Sequence, residues 1–144
     1  MDSVLTALAR LPLPLTVAGA GLLLSPTVAS LCILLRQVKE GPPPESTPTW
    51  LLLAWLLGVP LGALYGAVYG CWWWLMLRLP LPAGWLLALG AGPPAVLLLK
   101  DGFPRHYSDD NHRWLTCIGN AVGLSLVVIG ALLAWPRLPL PGTP

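Results

Sequence analysis

Residues 58–70 read GVPLGALYGAVYG, and the fold turns on how this stretch is understood. Gly58, Gly62, Gly66 and Gly70 recur every fourth residue inside a run, Ser46–Leu77, that carries no charged side chain. A helix needs about 20 apolar residues to cross a bilayer, and this run exceeds that. Four-residue spacing keeps the glycines on one slowly drifting stripe of a helix. In lipid such a stripe lets a second helix approach backbone to backbone. In water an interior glycine costs about 1 kcal/mol relative to alanine, so four on one face imply compensation by packing.

Outward from this run lie three more uncharged stretches, Leu11–Leu35, Leu79–Leu99 and Trp114–Pro136. In hydrocarbon only helices and closed barrels satisfy the backbone, and barrel strands would alternate apolar with polar residues, which these do not. The sequence therefore predicts spanning helices near 13–35, 50–77, 83–99 and 114–135, forming an all-α bundle with both termini on one side. The third is the weakest, because Pro93 and Pro94 interrupt it and Gly84, Gly90 and Gly92 lower its propensity. A kinked span is favoured over a re-entrant segment, provided that neighbours satisfy the carbonyls the prolines free.

The connections fit this division. Residues 36–49 (RQVKEGPPPESTPT) form a polar, proline-rich loop, 100–113 (KDGFPRHYSDDNHR) hold most of the remaining charge, and 137–144 are a short proline-rich tail. The pentapeptide RLPLP occurs at 10–14, 78–82 and 137–141, each time at a helix boundary. Arginine there can snorkel to the headgroups, and proline is best kept out of a helix interior. Pro26 and Pro94 follow the first two copies at the same offset. One reading is a pair of parallel hairpins, 10–77 and 78–136, related by an axis along the membrane normal; the other is a chance echo in a chain rich in Leu and Pro. Tryptophans are expected to mark the edges. Trp114 and Trp135 stand about 31 Å apart along a helix, close to a hydrocarbon core of about 30 Å. Five basic residues flank the 36–49 and 100–113 side against Arg10, Arg78 and Arg137 on the other, which weakly favours cytoplasmic loops.

Composition narrows the function. The 144 residues are 56% hydrophobic and only 10% charged, against about 25% charged in an ordinary soluble domain. A net charge of +2 without a basic, aromatic-interleaved cluster excludes nucleic acid as a partner. Cys32, Cys71 and Cys117 are odd in number and widely spaced, which argues against a disulfide framework and a zinc site. Ala18-Gly19-Ala20 resembles a signal-peptide cleavage site, but apolar sequence runs on to Leu35, so cleavage is not expected.

Residues able to carry chemistry are few. The segment 106–112 (HYSDDNH) gathers imidazoles and carboxylates, but in no spacing that defines a metal or acyl-transfer site; a solvated loop, with Asp109 and Asp110 capping the last helix, is the simpler reading. Tyr65, Tyr69 and Asn120 are candidate polar contacts inside the membrane, suited to gluing helices. No ionisable group stands deep in any span, which counts against a pump. The candidate packing residues are Gly58, Gly62, Gly66 and Gly70 with Gly119 and Gly123. They serve either oligomerisation and partner docking or packing within the chain, where the first and fourth helices offer complementary rows, Gly21-Ser25-Ala29 and Gly119-Gly123; Gly84-Ala88-Gly92 form a further row in the third. Together these readings predict a multi-pass protein of an endomembrane or organelle, with no metal or cofactor. It acts as a non-enzymatic accessory, assembly or scaffold subunit and contacts lipid and another membrane protein, or a copy of itself. A small oligomeric channel and a lipid-modifying enzyme using 106–112 are the alternatives.

Overall fold

The computed structural model describes residues 11–43, 45–101 and 110–139, with side chains described for 11–43, 45–96 and 112–139. Among the described residues four α-helices run in order: α1 Leu13–Glu40, α2 Thr47–Met76, α3 Ala83–Asp101 and α4 Asp110–Ala134. A turn of 3-10 helix, Trp135–Arg137, follows. No strand occurs among the described residues. Three stretches, Leu13–Glu40, Thr47–Met76 and His112–Arg137, are long and apolar enough to cross a membrane, while Ala83–Val96 is a shorter apolar helix.

The helices outrun the expected boundaries, and local chemistry explains how. α1 continues from 35 to Glu40 because Arg36 and Glu40 pair at i, i+4, their Nε and Oε2 2.8 Å apart. It stops at Gly41, whose φ of 90° is a conformation that glycine adopts at little cost, and the Gly41 amide donates to the Gln37 carbonyl at 3.0 Å. α2 starts at Thr47, earlier than 50, because Pro48 occupies the first turn, where its missing donor costs nothing. The connection expected over 36–49 thus shrinks to 41–46. α3 continues through Pro93 and Pro94 without a break. α4 begins at Asp110, so one of the two expected capping acids is inside the helix, while Asp109 lies outside the described residues.

α1, α2 and α4 form the packed centre, with α1 touching both of the others along most of its length. α3 lies at the side against α2 and α4. The interior is built from Leu13, Val17, Ile33, Trp73, Ile118 and Leu126 with the small residues Ala29, Ala54 and Ala121. Outward stand leucines of α1, α2 and α4, Leu23, Leu56, Leu64 and Leu132 among them, each more than 60% exposed. A soluble domain would bury side chains of this kind; a bundle solvated by acyl chains would not.

The tryptophans divide in a way the sequence did not suggest. Trp55, Trp72, Trp74, Trp85 and Trp135 are exposed, as an interface belt requires, but Trp50, Trp73 and Trp114 are buried. Trp73 fills gaps that Gly90 and Gly130 leave beside it, while Trp50 and Trp114 pack on each other.

Candidate functional site

The glycine stripe of α2 lies against α1. All four of its glycines are buried. A methyl group added at Gly58 would stand 2.8 Å from Pro26 Cα, and one at Gly66 would stand 2.9 Å from the Val17 carbonyl oxygen. At Gly70 it would meet Pro14 Cα at 2.5 Å. Gly62 and Gly21 face each other so closely that a methyl on either would run into the other's carbonyl oxygen. The partners descend α1 as the glycines ascend α2, so the two helices are antiparallel and meet backbone to backbone along four rungs. Of the other two candidate packing glycines, Gly119 faces outward with no atom within 4 Å of an added methyl, and Gly123 is half-buried.

α4 meets α1 by a different chemistry. Ser25 and Ser125, both buried, place their hydroxyl oxygens 2.9 Å apart. The Ser125 proton is directed to the Val122 carbonyl at 2.7 Å, so Ser25 is the donor in the pair. Ser25 was visible in the sequence as part of a small-residue row; its partner had no distinguishing signal.

Tyr65 and Tyr69, neighbours at i, i+4, have separate fates. Tyr65 is exposed, whereas Tyr69 is buried and donates its hydroxyl to the Gly90 carbonyl at 3.0 Å. One turn on, the Trp72 indole donates to the Leu89 carbonyl at 3.2 Å. Those two carbonyls are the ones Pro93 and Pro94 leave without donors, since a helical amide reaches back four residues. Two side chains of α2 therefore replace the two missing hydrogen bonds of α3. Trp73, the next residue on α2, is fully buried; it packs edge-on to Tyr69 with ring centroids 6.3 Å apart and fills the space left by Gly90 and Gly130. Asn120 is half-buried on α4.

At the end of the bundle near residue 36, Arg36 acts as a clamp that sequence reading missed. Besides holding Glu40, it donates through Nη1 to the Arg113 carbonyl at 2.9 Å and lies 5.1 Å from the centre of the Trp114 ring. Trp114 in turn packs on Trp50 at 5.9 Å. Thr47 donates to the Gln37 side-chain oxygen at 3.1 Å, closing the turn between α1 and α2. At the opposite end two RLPLP segments meet, where Arg137 donates to the Leu11 carbonyl at 3.0 Å; Arg78 of the second copy instead stacks 3.9 Å over Trp74. The first and third copies are thus in contact.

Residues 106–109 of the polar loop lie outside the described residues, as do the side chains of Asp110 and Asn111. His112 is exposed, and its backbone carbonyl accepts from Thr116 Oγ1 at 2.8 Å. Among the described residues no three His, Cys, Asp or Glu side chains gather as a metal site would require. No family model, curated protein or solved structure matches the chain.

Proposed function

We propose that this chain is a multi-pass integral membrane protein of an endomembrane or organelle, working as a non-enzymatic accessory, assembly or scaffold subunit through its helix surfaces. All four helices span, α3 included, since Tyr69 and Trp72 allow it to pass its double proline unbroken. At about 1.5 Å per residue α3 is about 28 Å long, slightly under a hydrocarbon core of about 30 Å, so it stands close to upright, while α1 and α2 exceed that core and tilt. Both termini then lie on the RLPLP side. The two halves share that pentapeptide and a proline at a common offset, but Pro26 is buried against Gly58 whereas Pro94 is half-buried.

The observation that carries the reading is the division between used and unused small-residue rows. The α2 stripe is consumed inside the chain by α1. Gly84 and Gly92 on α3 and Gly119 on α4 have open space around them, and Ala88 between the first two is exposed. Contact with a partner therefore falls to α3 and α4, because substitution of Gly62 or Gly66 would break the protein's own hairpin. The test is recovery of a stoichiometric partner from mild detergent by the wild type, by Gly119→Leu and by Gly84→Leu. Loss of that partner in either variant, with unchanged detergent-resistant folding, supports the role. Recovery as in the wild type by both variants rejects it.

A further inference from the structure

α1 and α4 keep a fixed antiparallel register. Ser25 meets Ser125 at one level, and Arg36 meets Arg113 and Trp114 at another. Eleven residues separate Ser25 from Arg36 and eleven separate Trp114 from Ser125, so the helices stay in step between these two contacts. Cys32, four residues before Arg36, and Cys117, three residues after Trp114, fall at the same level of this interface. Cys117 lies within electrostatic reach of both Cys32 and Arg36. Just below them Ala29 and Ala121 are buried, small residues of the kind that allow membrane helices to approach closely. Both thiols are free and half-buried, whereas the third cysteine, Cys71, is exposed on α2.

We propose that Cys32 and Cys117 are a reversible dithiol–disulfide pair that locks α1 to α4 one helical turn inside the Arg36 end of the bundle. The oxidant is a small peroxide, which can reach a half-buried thiol near the membrane surface. One sulfur attacks a peroxide oxygen, the O–O bond breaks, and a sulfenic acid and one water form as the thiol proton passes to the leaving oxygen. The second sulfur then attacks the sulfenic sulfur; the S–S bond forms and a second water leaves with the remaining proton. Overall two thiols give up two electrons and two protons, and hydrogen peroxide becomes two waters. A small dithiol reverses the change by exchange. The bond would join helices that are far apart in the chain and otherwise held at this end by the Arg36 contacts.

The test uses membranes carrying the full chain, treated with hydrogen peroxide, then alkylated and digested for mass spectrometry. A linked peptide joining residues 32 and 117, lost on dithiothreitol treatment and retained in Cys71→Ser, is the expected result. A second measurement on untreated membranes uses dibromobimane, which becomes fluorescent when both of its arms are alkylated. Fluorescence should persist in Cys71→Ser and fall to background in Cys71→Ser/Cys32→Ser and Cys71→Ser/Cys117→Ser. Absence of the 32–117 peptide, with bimane fluorescence in Cys71→Ser no higher than in the double variants, overturns the pairing. Linkage solely between Cys71 residues of two chains overturns it equally.

Discussion

The two halves of this bundle both rely on glycine, but for opposite purposes. Between α1 and α2, glycine removes side chains so that backbone meets backbone, and the rungs at Gly58, Gly62, Gly66 and Gly70 are closed by α1 main-chain atoms. Around α3 and α4, glycine makes room for rings: Gly90 and Gly130 both face Trp73, and Gly130 also faces Tyr69. The first arrangement has no adjustable part, since backbone atoms cannot change rotamer. The second is filled by side chains, which carry hydrogen bonds as well as volume. Sequence spacing favours the first and hides the second, because a regular stripe is a property of one helix, whereas a ring in a gap is a property of two or three.

The sharpest way to break this contrast is Gly62→Leu. Its new side chain would collide with the Gly21 carbonyl and the Ser25 Cβ, and neither helix can yield without losing the neighbouring rungs. Overpacking a well-packed interior usually costs about 1–3 kcal/mol, and a backbone-to-backbone contact belongs at or above the upper end. Thermal unfolding in mild detergent should therefore show a large loss or no folded protein at all. Gly19→Leu, at a position with no atom within 4 Å, is the control and should stay within about 0.5 kcal/mol of the wild type. Equal behaviour of the two variants would mean that α1 and α2 do not touch along this stripe.

How much was legible in the sequence follows the same division. The four helices, and the stripe as a packing face, could be read from uninterrupted apolar runs and a four-residue repeat. Whether that stripe served the chain itself or a partner could not, because Gly21, Ser25 and Ala29 are one small row among several. Helix ends were misplaced where a single i, i+4 ion pair, Arg36 with Glu40, outweighed a polar and proline-rich composition. The continuity of α3 was expected only on condition that neighbours satisfied its free carbonyls; that Tyr69 and Trp72 meet that condition depends on how α3 lies beside α2. Arg36 was counted as a loop charge, and nothing in its sequence context points to Arg113 or Trp114.

A second substitution asks whether the ring-filled region is as unyielding as the backbone-paired one. A methyl at Gly90 would enter the Trp73 ring, which is fully buried and so has little room to turn. Gly90→Ala should destabilise by about 1–3 kcal/mol in the same unfolding measurement, less than Gly62→Leu, because an indole can shift by a few tenths of an ångström where a backbone cannot. Double substitution with Trp73→Phe sharpens the point: the smaller ring vacates volume, so the added methyl should cost less in that background than alone. Strict additivity of the two changes would show that Gly90 and Trp73 are not in contact, and the second half of the comparison would then fail.

The smallest effect belongs to the hydrogen bonds that keep α3 helical. Tyr69→Phe retains the ring and its packing on Trp73 while removing the donor to the Gly90 carbonyl. Hydrogen bonds between membrane helices average about 0.6 kcal/mol and reach about 1.7, and a carbonyl left without any donor in a proline kink belongs in the upper part of that range. Trp72→Phe removes the companion bond to Leu89, but Trp72 is exposed and its bond longer, so the loss should be smaller. Global unfolding should show both as the smallest losses of the series. Amide exchange resolved along the chain should register both, as faster exchange in α3 around the prolines with α1 and α2 unchanged. Unaltered exchange in the double variant would mean that α3 holds its shape without help from α2. The two prolines would then be accommodated within α3 itself, and the contrast between a self-sufficient first hairpin and a second one dependent on donated side chains would disappear.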